Sequence, residues 1–156
     1  MQLYLVRHAD SNFDASSDHQ RPLSALGMRQ AAHSATYLKK RIHTSDSQII
    51  CSDALRTETT ALIIQQQIDP SNLSTDNRYY HARVGDWCDA IMTHSSLENL
   101  ILVGHNPTIS FLSKYLNPSN IQSFSPSCVA HYQLEINSDG LKLPVQFIDY
   151  FKPDAI

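Results

Sequence analysis

Two short apolar runs, Leu3-Tyr4-Leu5-Val6 and Leu100-Ile101-Leu102-Val103, frame this chain. Uninterrupted aliphatic runs of this length, bounded by polar residues, read as strands buried on both faces of a sheet. Ser47-Gln48-Ile49-Ile50-Cys51 reads as a further strand. Between these runs the spacing changes to that of helices. One helix is predicted from near Ser24, its cap, to about His43, with Leu26, Ala31, Ala35 and Leu38 as its apolar stripe. A second runs from Asp53 to about Gln67, with Ser52 placed to cap it, and a third covers Val84 to His94 with Trp87 and Ile91 facing inward. A fourth spans Pro107 to Leu116, with Asn106 as its cap and Pro107 at the first helical position. Asp69 to Arg83, punctuated by Pro and Asn, reads as irregular. In the tail, Ser127 to Ile136 and Lys142 to Tyr150 alternate in polarity, and Asn137-Ser138-Asp139-Gly140 forms the turn between them. The expected fold is a three-layer α/β/α sandwich with a mixed, mostly parallel sheet and an antiparallel edge hairpin. Its length suits a single domain over residues 1–156.

Each of the two leading strands ends in a histidine. Val6 runs into Arg7-His8, and Val103 into Gly104-His105-Asn106-Pro107. The C-terminal ends of strands are where open α/β sheets place their ligand sites. Arg21, in a loop, and Arg56, in the first turn of the second helix, add two more guanidinium groups. A cation in a first turn opposes the helix dipole, so Arg56 points to an anion nearby. A neutral imidazole attacks phosphorus and forms a phosphoramidate that water later hydrolyses. Arginine neutralises the equatorial oxygens of the transferring group bidentately and needs no metal to do so. His105 is then the partner that donates to a phosphoryl oxygen, titrating near neutrality unless its pocket shifts it. The pattern points to phosphoryl transfer.

Charge and the remaining residues narrow the reading. With 12 basic and 15 acidic residues the formal charge is −3, and no block of like charges occurs, so no nucleic acid partner is expected and any anion site is local. Cys51, Cys88 and Cys128 form no C-x-x-C pair and read as buried hydrophobes in a reducing compartment. The short apolar start before Arg7 suits neither a secretory leader nor a membrane span, which gives a cytoplasmic expectation and no membrane partner. His19, His33, His43, His94 and His131 lack metal-ligand spacing, so no metal and no cofactor is expected. Tyr79, Tyr80 and Trp87 are assigned to the core or the rim, and His81 to substrate contact or packing.

Four blocks together resemble the histidine phosphatase superfamily, also called phosphoglycerate mutase-like. They are Leu5-Val6-Arg7-His8-Ala9-Asp10-Ser11, Arg21-Pro22-Leu23-Ser24 with Gly27, Ser52 through Thr60, and Val103-Gly104-His105-Asn106-Pro107, in the family's order. The resemblance implies that His8 is the phosphorylated nucleophile, that Arg7, Arg21 and Arg56 clamp the phosphate, and that His105 is the second histidine. Ser11 and Asn106 are further phosphate-binding candidates. Within the superfamily the chain looks most like the SixA-type branch, through its R-H-A-D-S opening, Asp18-x-x-Arg21-Pro22-Leu23, Tyr79-Tyr80-His81-Ala82 and G-H-N-P. That branch acts on phosphohistidine of histidine-containing phosphotransfer domains, which implies a phosphorylated signalling protein as substrate. Mutase-like members have an Asn six residues after the nucleophile, where Asp14 stands here, and a Glu general acid in the region of Arg78-Tyr79-Tyr80-His81. An alkoxide leaving group needs a proton from the enzyme, whereas an imidazole, with a pKa of roughly 6.5, needs less help, so the missing Glu favours P–N over P–O substrates. Asp18 is the remaining candidate proton donor. Only about thirty residues separate the second helix from the Leu100 strand, which leaves little chain for a lid. The alternatives are a small-molecule phosphomonoesterase of the same superfamily and a low-turnover phosphohistidine-binding module. The presence of all four core residues argues against the latter.

Overall fold

Tyr4 and Val6 pack on one side of the central sheet and Leu3 and Leu5 on the other, because a strand sends successive side chains to opposite faces. The fold is a computed structural model that describes residues 1–68, 72–120 and 123–153. At its centre β1 (Gln2–Arg7) pairs in parallel with β4 (Asn99–Gly104), Arg7 lying opposite Gly104. β2 (Ser47–Ser52) pairs with β4, and β3 (Asn72–Asp76) with β2, both in parallel. On the other side β5 (Val129–Gln133) is antiparallel to β1, and β8 (Gln146–Phe151) is antiparallel to β5. The sheet order is therefore β3-β2-β4-β1-β5-β8. Between β5 and β8, β6 (Ile136–Asn137) and β7 (Gly140–Leu141) form a separate two-stranded ribbon, turned where Gly140 has a φ of 110°.

α1 (Ala25–Lys39) and α2 (Leu55–Gln67) cover the face of Tyr4, Val6, Ile49 and Ile101 through Leu38 and Ile64. α3 (Val84–Thr93) and α4 (Thr108–Leu116) cover the face of Leu3, Leu5, Leu100 and Leu102 through Trp87, Ile91 and Leu112. Each of these fully buried aliphatic side chains contributes about 1.5–3 kcal/mol, so the two central strands form a rigid platform. The chain leaves β1 for one layer and β4, its neighbour, for the other. A crevice opens where such departures diverge, at the carboxyl ends of the strands.

The expected three-layer architecture and antiparallel edge are present. The region read as irregular is not: residues 72–76 form the edge strand β3, and residues 77–79 a 3₁₀ turn. Residues 69–71 of that region lie outside the described residues. An edge strand needs few apolar side chains, and Leu73 alone packs against the core while the backbone pairs with β2. α1 stops at Lys39, before the expected end near His43. Cys51 and Cys128 are buried, Cys88 is half-buried, and all three are free thiols. Among the described residues no helix is long and apolar enough to cross a membrane.

Gly27 ties α1 to the loop after β1. A Cβ there would lie 1.9 Å from the carbonyl oxygen of Asp10, which is backbone and cannot rotate away. Alanine gains about 1 kcal/mol of helix propensity over glycine, but that gain is smaller than the cost of displacing a backbone carbonyl. Gly27→Ala is expected to lower stability by about 1–3 kcal/mol, read as a lower urea midpoint. A raised midpoint would show that the contact yields freely.

Candidate active site

His8 is the first residue beyond β1, and its backbone N–H donates to the Gly104 carbonyl at 3.0 Å. The parallel ladder thus extends one residue past the strand and sets His8 beside His105, with ring centroids 5.3 Å apart and planes 57° apart. The Nδ1 of His8 is 2.8 Å from the Ala9 carbonyl oxygen. A carbonyl oxygen only accepts, so Nδ1 carries the proton and Nε2 presents a lone pair. Burial pushes the His8 pKa down to about 4, against the Ala9 hydrogen bond, and the charges of Arg56, Arg7 and Arg21 lower it further. The ring is therefore neutral, with a free nitrogen, at neutral pH. His105 is pushed down to about 3 by burial first, then by His8 and Arg56.

Arg7, Arg21 and Arg56 line the same pocket of about 320 Å³ as the two histidines. Arg7 Nη1 donates to the Phe124 carbonyl at 2.9 Å, and burial lowers its pKa. Arg56, buried at the start of α2, donates through Nη1 to the Asp18 carbonyl (2.7 Å) and through Nη2 to the Asp18 carboxylate (3.1 Å). The Nε atoms of Arg7 and Arg56 are both buried with no acceptor among the described residues. Arg21 donates to the Asn12 carbonyl, Asp18 and Ser11 at 3.0, 3.1 and 2.7 Å, and its guanidinium lies 4.0 Å from the ring centroid of Phe13. Three guanidinium groups face a single carboxylate here, so the pocket has unspent attraction for an anion.

Four residues make contacts that the sequence does not specify. Asp18, the candidate proton donor, accepts from the Tyr80 hydroxyl, Arg21 and Arg56, and these bonds hold its carboxyl well below the usual range. An ionised carboxylate bridging the clamp is the opposite of a poised acid. Ser11 is buried with its hydroxyl on Arg21, so it braces the clamp. Asn106 lines the same pocket as the two histidines, but it does not cap α4, whose N-cap is Pro107. Its amide donates to the Phe124 carbonyl and accepts from Ser110. Ser52 does not cap α2, whose N-cap is Ala54, and instead meets His105 Nε2 at 2.7 Å.

Phe13, Tyr80 and His81 complete the pocket wall. Tyr80 also crosses His105 edge-on, with centroids 5.6 Å apart. Tyr79, by contrast, stacks on Trp87 in the core. Phe13, Tyr80, Ser52, Thr57 and the Phe124 carbonyl are not assigned to the site from sequence; the signals that touch them are the Tyr79-Tyr80-His81 run and the Ser52–Thr60 block. Of the remaining histidines, His131 is buried and stacks on Tyr4, while His19 pairs with Asp53. Among the described residues no group of three or more His, Cys, Asp or Glu is placed to hold a metal ion.

The depressed imidazoles of His8, His105 and His131, the last also pushed down to about 4 by burial, have a measurable consequence. Their pKa values are about 4, about 3 and about 4 when folded and 6.5 when unfolded, so between these values the unfolded chain binds protons that the folded chain refuses. Stability is then complete above about pH 6.5 and declines as the pH falls toward about 4. Asp18 adds a loss of the same sign at lower pH. The urea midpoint is expected to fall between about pH 7 and about pH 5, and His8→Asn is expected to flatten that slope. A midpoint that is level in the wild type contradicts this.

A family model described as histidine phosphatase superfamily (branch 1) matches residues 3–87. The chain accordingly belongs to a class of phosphatases, and it is a member of the histidine phosphatase superfamily. It is 32% identical over 111 residues to an uncharacterized protein of Mycobacterium tuberculosis, covering 69% of this chain and 67% of that one. It is 25% identical over 149 residues to phosphohistidine phosphatase SixA of Escherichia coli, covering 90% and 89%. A protein histidine phosphatase SixA solved with tungstate superimposes with a TM-score of 0.81 at 24% identity, covering 98% and 97%. A mycobacterial glucosyl-3-phosphoglycerate phosphatase shares the fold, with a TM-score of 0.72 at 15% identity over 99% of both chains. The likeness to SixA proteins in sequence and structure supports the SixA-type branch.

Proposed function

We propose that this chain removes the phosphoryl group from phosphohistidine on a protein, through a phosphoryl group carried on its own His8 and without a metal ion. The observation that carries this reading is the convergence of an unprotonated His8 Nε2, His105 and three guanidinium groups in one pocket. In the first step the Nε2 lone pair forms a P–N bond as the substrate's P–N bond breaks. The released electron pair returns to the substrate ring, which leaves as neutral imidazole once solvent has protonated its other nitrogen. Water then attacks phosphorus, the pair returns to His8 Nε2, and inorganic phosphate departs. The arginines hold the equatorial oxygens through both steps.

Two observations favour P–N substrates. Among the described residues the pocket is lined by no carboxyl poised to protonate an alkoxide, since Asp18 is ionised and bridged. Phe13, at the wall, is 85% exposed, so the mouth faces solvent and suits a side chain projecting from another protein. The SixA proteins that the chain resembles carry the phosphohistidine phosphatase name, which supports the same substrate class. In this reading the partner is a phosphotransfer or other signalling protein of the cytoplasm, and residues 1–156 work as one domain.

The test is a comparison of a phosphorylated histidine phosphotransfer domain with sugar phosphates, each with and without EDTA. The phosphoprotein is expected to lead in kcat/KM by about 10²-fold or more, the lower end of what a proton donor gives an ester substrate. EDTA is expected to change nothing. Faster sugar phosphate hydrolysis, or loss of activity in EDTA, would overturn the reading.

A further inference from the structure

His105 is held from behind by a short hydroxyl chain, and the protons in that chain can be counted. Thr57 Oγ1 lies 2.9 Å from the Ser52 carbonyl oxygen and 2.9 Å from the Ala54 carbonyl oxygen. Both carbonyls only accept, so the single Thr57 proton points to them; otherwise lone pairs would face one another without a proton between them. Ser52 Oγ lies 2.5 Å from Thr57 Oγ1, which has no proton left to give, so Ser52 donates to Thr57. The Ser52 proton is then spent, and its oxygen accepts from the Ala54 N–H and from His105 Nε2, at 3.4 and 2.7 Å. Ser52 and Thr57 are both fully buried, so water does not supply other partners.

We propose that Ser52 and Thr57 are positioning residues that fix neutral His105 as the Nε2–H tautomer and leave its unprotonated Nδ1 for the phosphoryl group. The sequence reading gave His105 a donor's part, but a neutral ring in this setting is an acceptor toward the pocket. Its bare Nδ1 accepts a hydrogen bond from the P–OH of a phosphoryl monoanion while Nε2 donates to Ser52. This catalytic consequence rests on the phosphatase reading above, whereas the tautomer does not.

The experiment reads the imidazole ¹⁵N signals of the full chain, ligand-free at neutral pH and labelled on histidine, with His105 assigned by its loss in His105→Gln. The wild type is expected to show a protonated Nε2 and a bare Nδ1. Thr57→Val, nearly isosteric, removes the acceptor of the Ser52 proton, which then turns to His105 and inverts the pattern to Nδ1–H. Ser52→Ala gives a mixture of tautomers, and Ser52→Thr restores the wild-type pattern. On a phosphohistidine protein, Thr57→Val and Ser52→Ala are expected to lower kcat by about 10- to 100-fold, the usual cost of losing an orienting partner, with KM nearly unchanged. A wild-type Nδ1–H pattern, or a Thr57→Val pattern identical to the wild type, overturns the assignment. The expected tautomers without phosphohistidine turnover would sustain the hydroxyl chain and overturn the substrate reading.

Discussion

Brief incubation with a phosphohistidine protein is expected to leave acid-labile, base-stable phosphate on His8, and His8→Ala is expected to carry none. Turnover should fall on the order of 10⁴-fold or more, as when a nucleophile is removed from a two-step site. The effect is this large because nothing nearby can take over the role. The adjacent imidazole is inclined by 57° and has one nitrogen engaged by Ser52. Tyr80 is a weak nucleophile whose proton is directed at Asp18 and whose pKa that bond raises. Rapid-quench measurement of the labelled intermediate, with the modified residue located by mass spectrometry, checks this. Label on another residue, or more than about 1% of turnover left in His8→Ala, contradicts it.

Arg56→Ala is the second large effect. Arginines that meet a transferring phosphoryl group are worth about 10³- to 10⁵-fold, and a loss in that range is expected here. Arg56→Lys should recover little, since an ammonium replaces a fork with a point charge. Arg21→Ala should cost distinctly less. Arg21 is partly exposed, and its three nitrogens already serve Asn12, Asp18 and Ser11. Arg56 is buried, so its charge acts on the pocket with less screening by solvent. Single-turnover rates for the three variants check the order, and equal losses at Arg21 and Arg56 would show that the two forks share the load. Removing Arg56 also takes a hydrogen-bond donor and a neighbouring positive charge from the Asp18 carboxylate, so its proton affinity should rise.

The candidate site residues were legible because each sits where a local pattern ends. Arg7-His8 and Gly104-His105 close apolar runs, and Arg56 stands against a helix dipole. The α/β/α layering followed from the same runs. What stayed hidden depended on partners far along the chain. Ser52 lies 53 residues from His105, and Tyr80 lies 62 from Asp18. Locally, Ser52-Asp53-Ala54-Leu55 satisfies every requirement of a helix cap, and Asn106-Pro107 does too, so local reasoning stopped there. In both cases the tertiary demand won, and the hydroxyl or amide went to the site. Strand β3 was missed for a related reason, because its backbone hydrogen bonds hold it in place and its side-chain pattern is weak.

The separation of the two histidines is inherited. They follow paired residues on adjoining strands, so their gap is a repeat of the sheet, about 4.8 Å between neighbours, carried out to the ring centroids at 5.3 Å. Loops and helices can alter what approaches this pair, yet none of them sets its gauge. The surrounding segments can therefore vary while the spacing between the two rings stays constant.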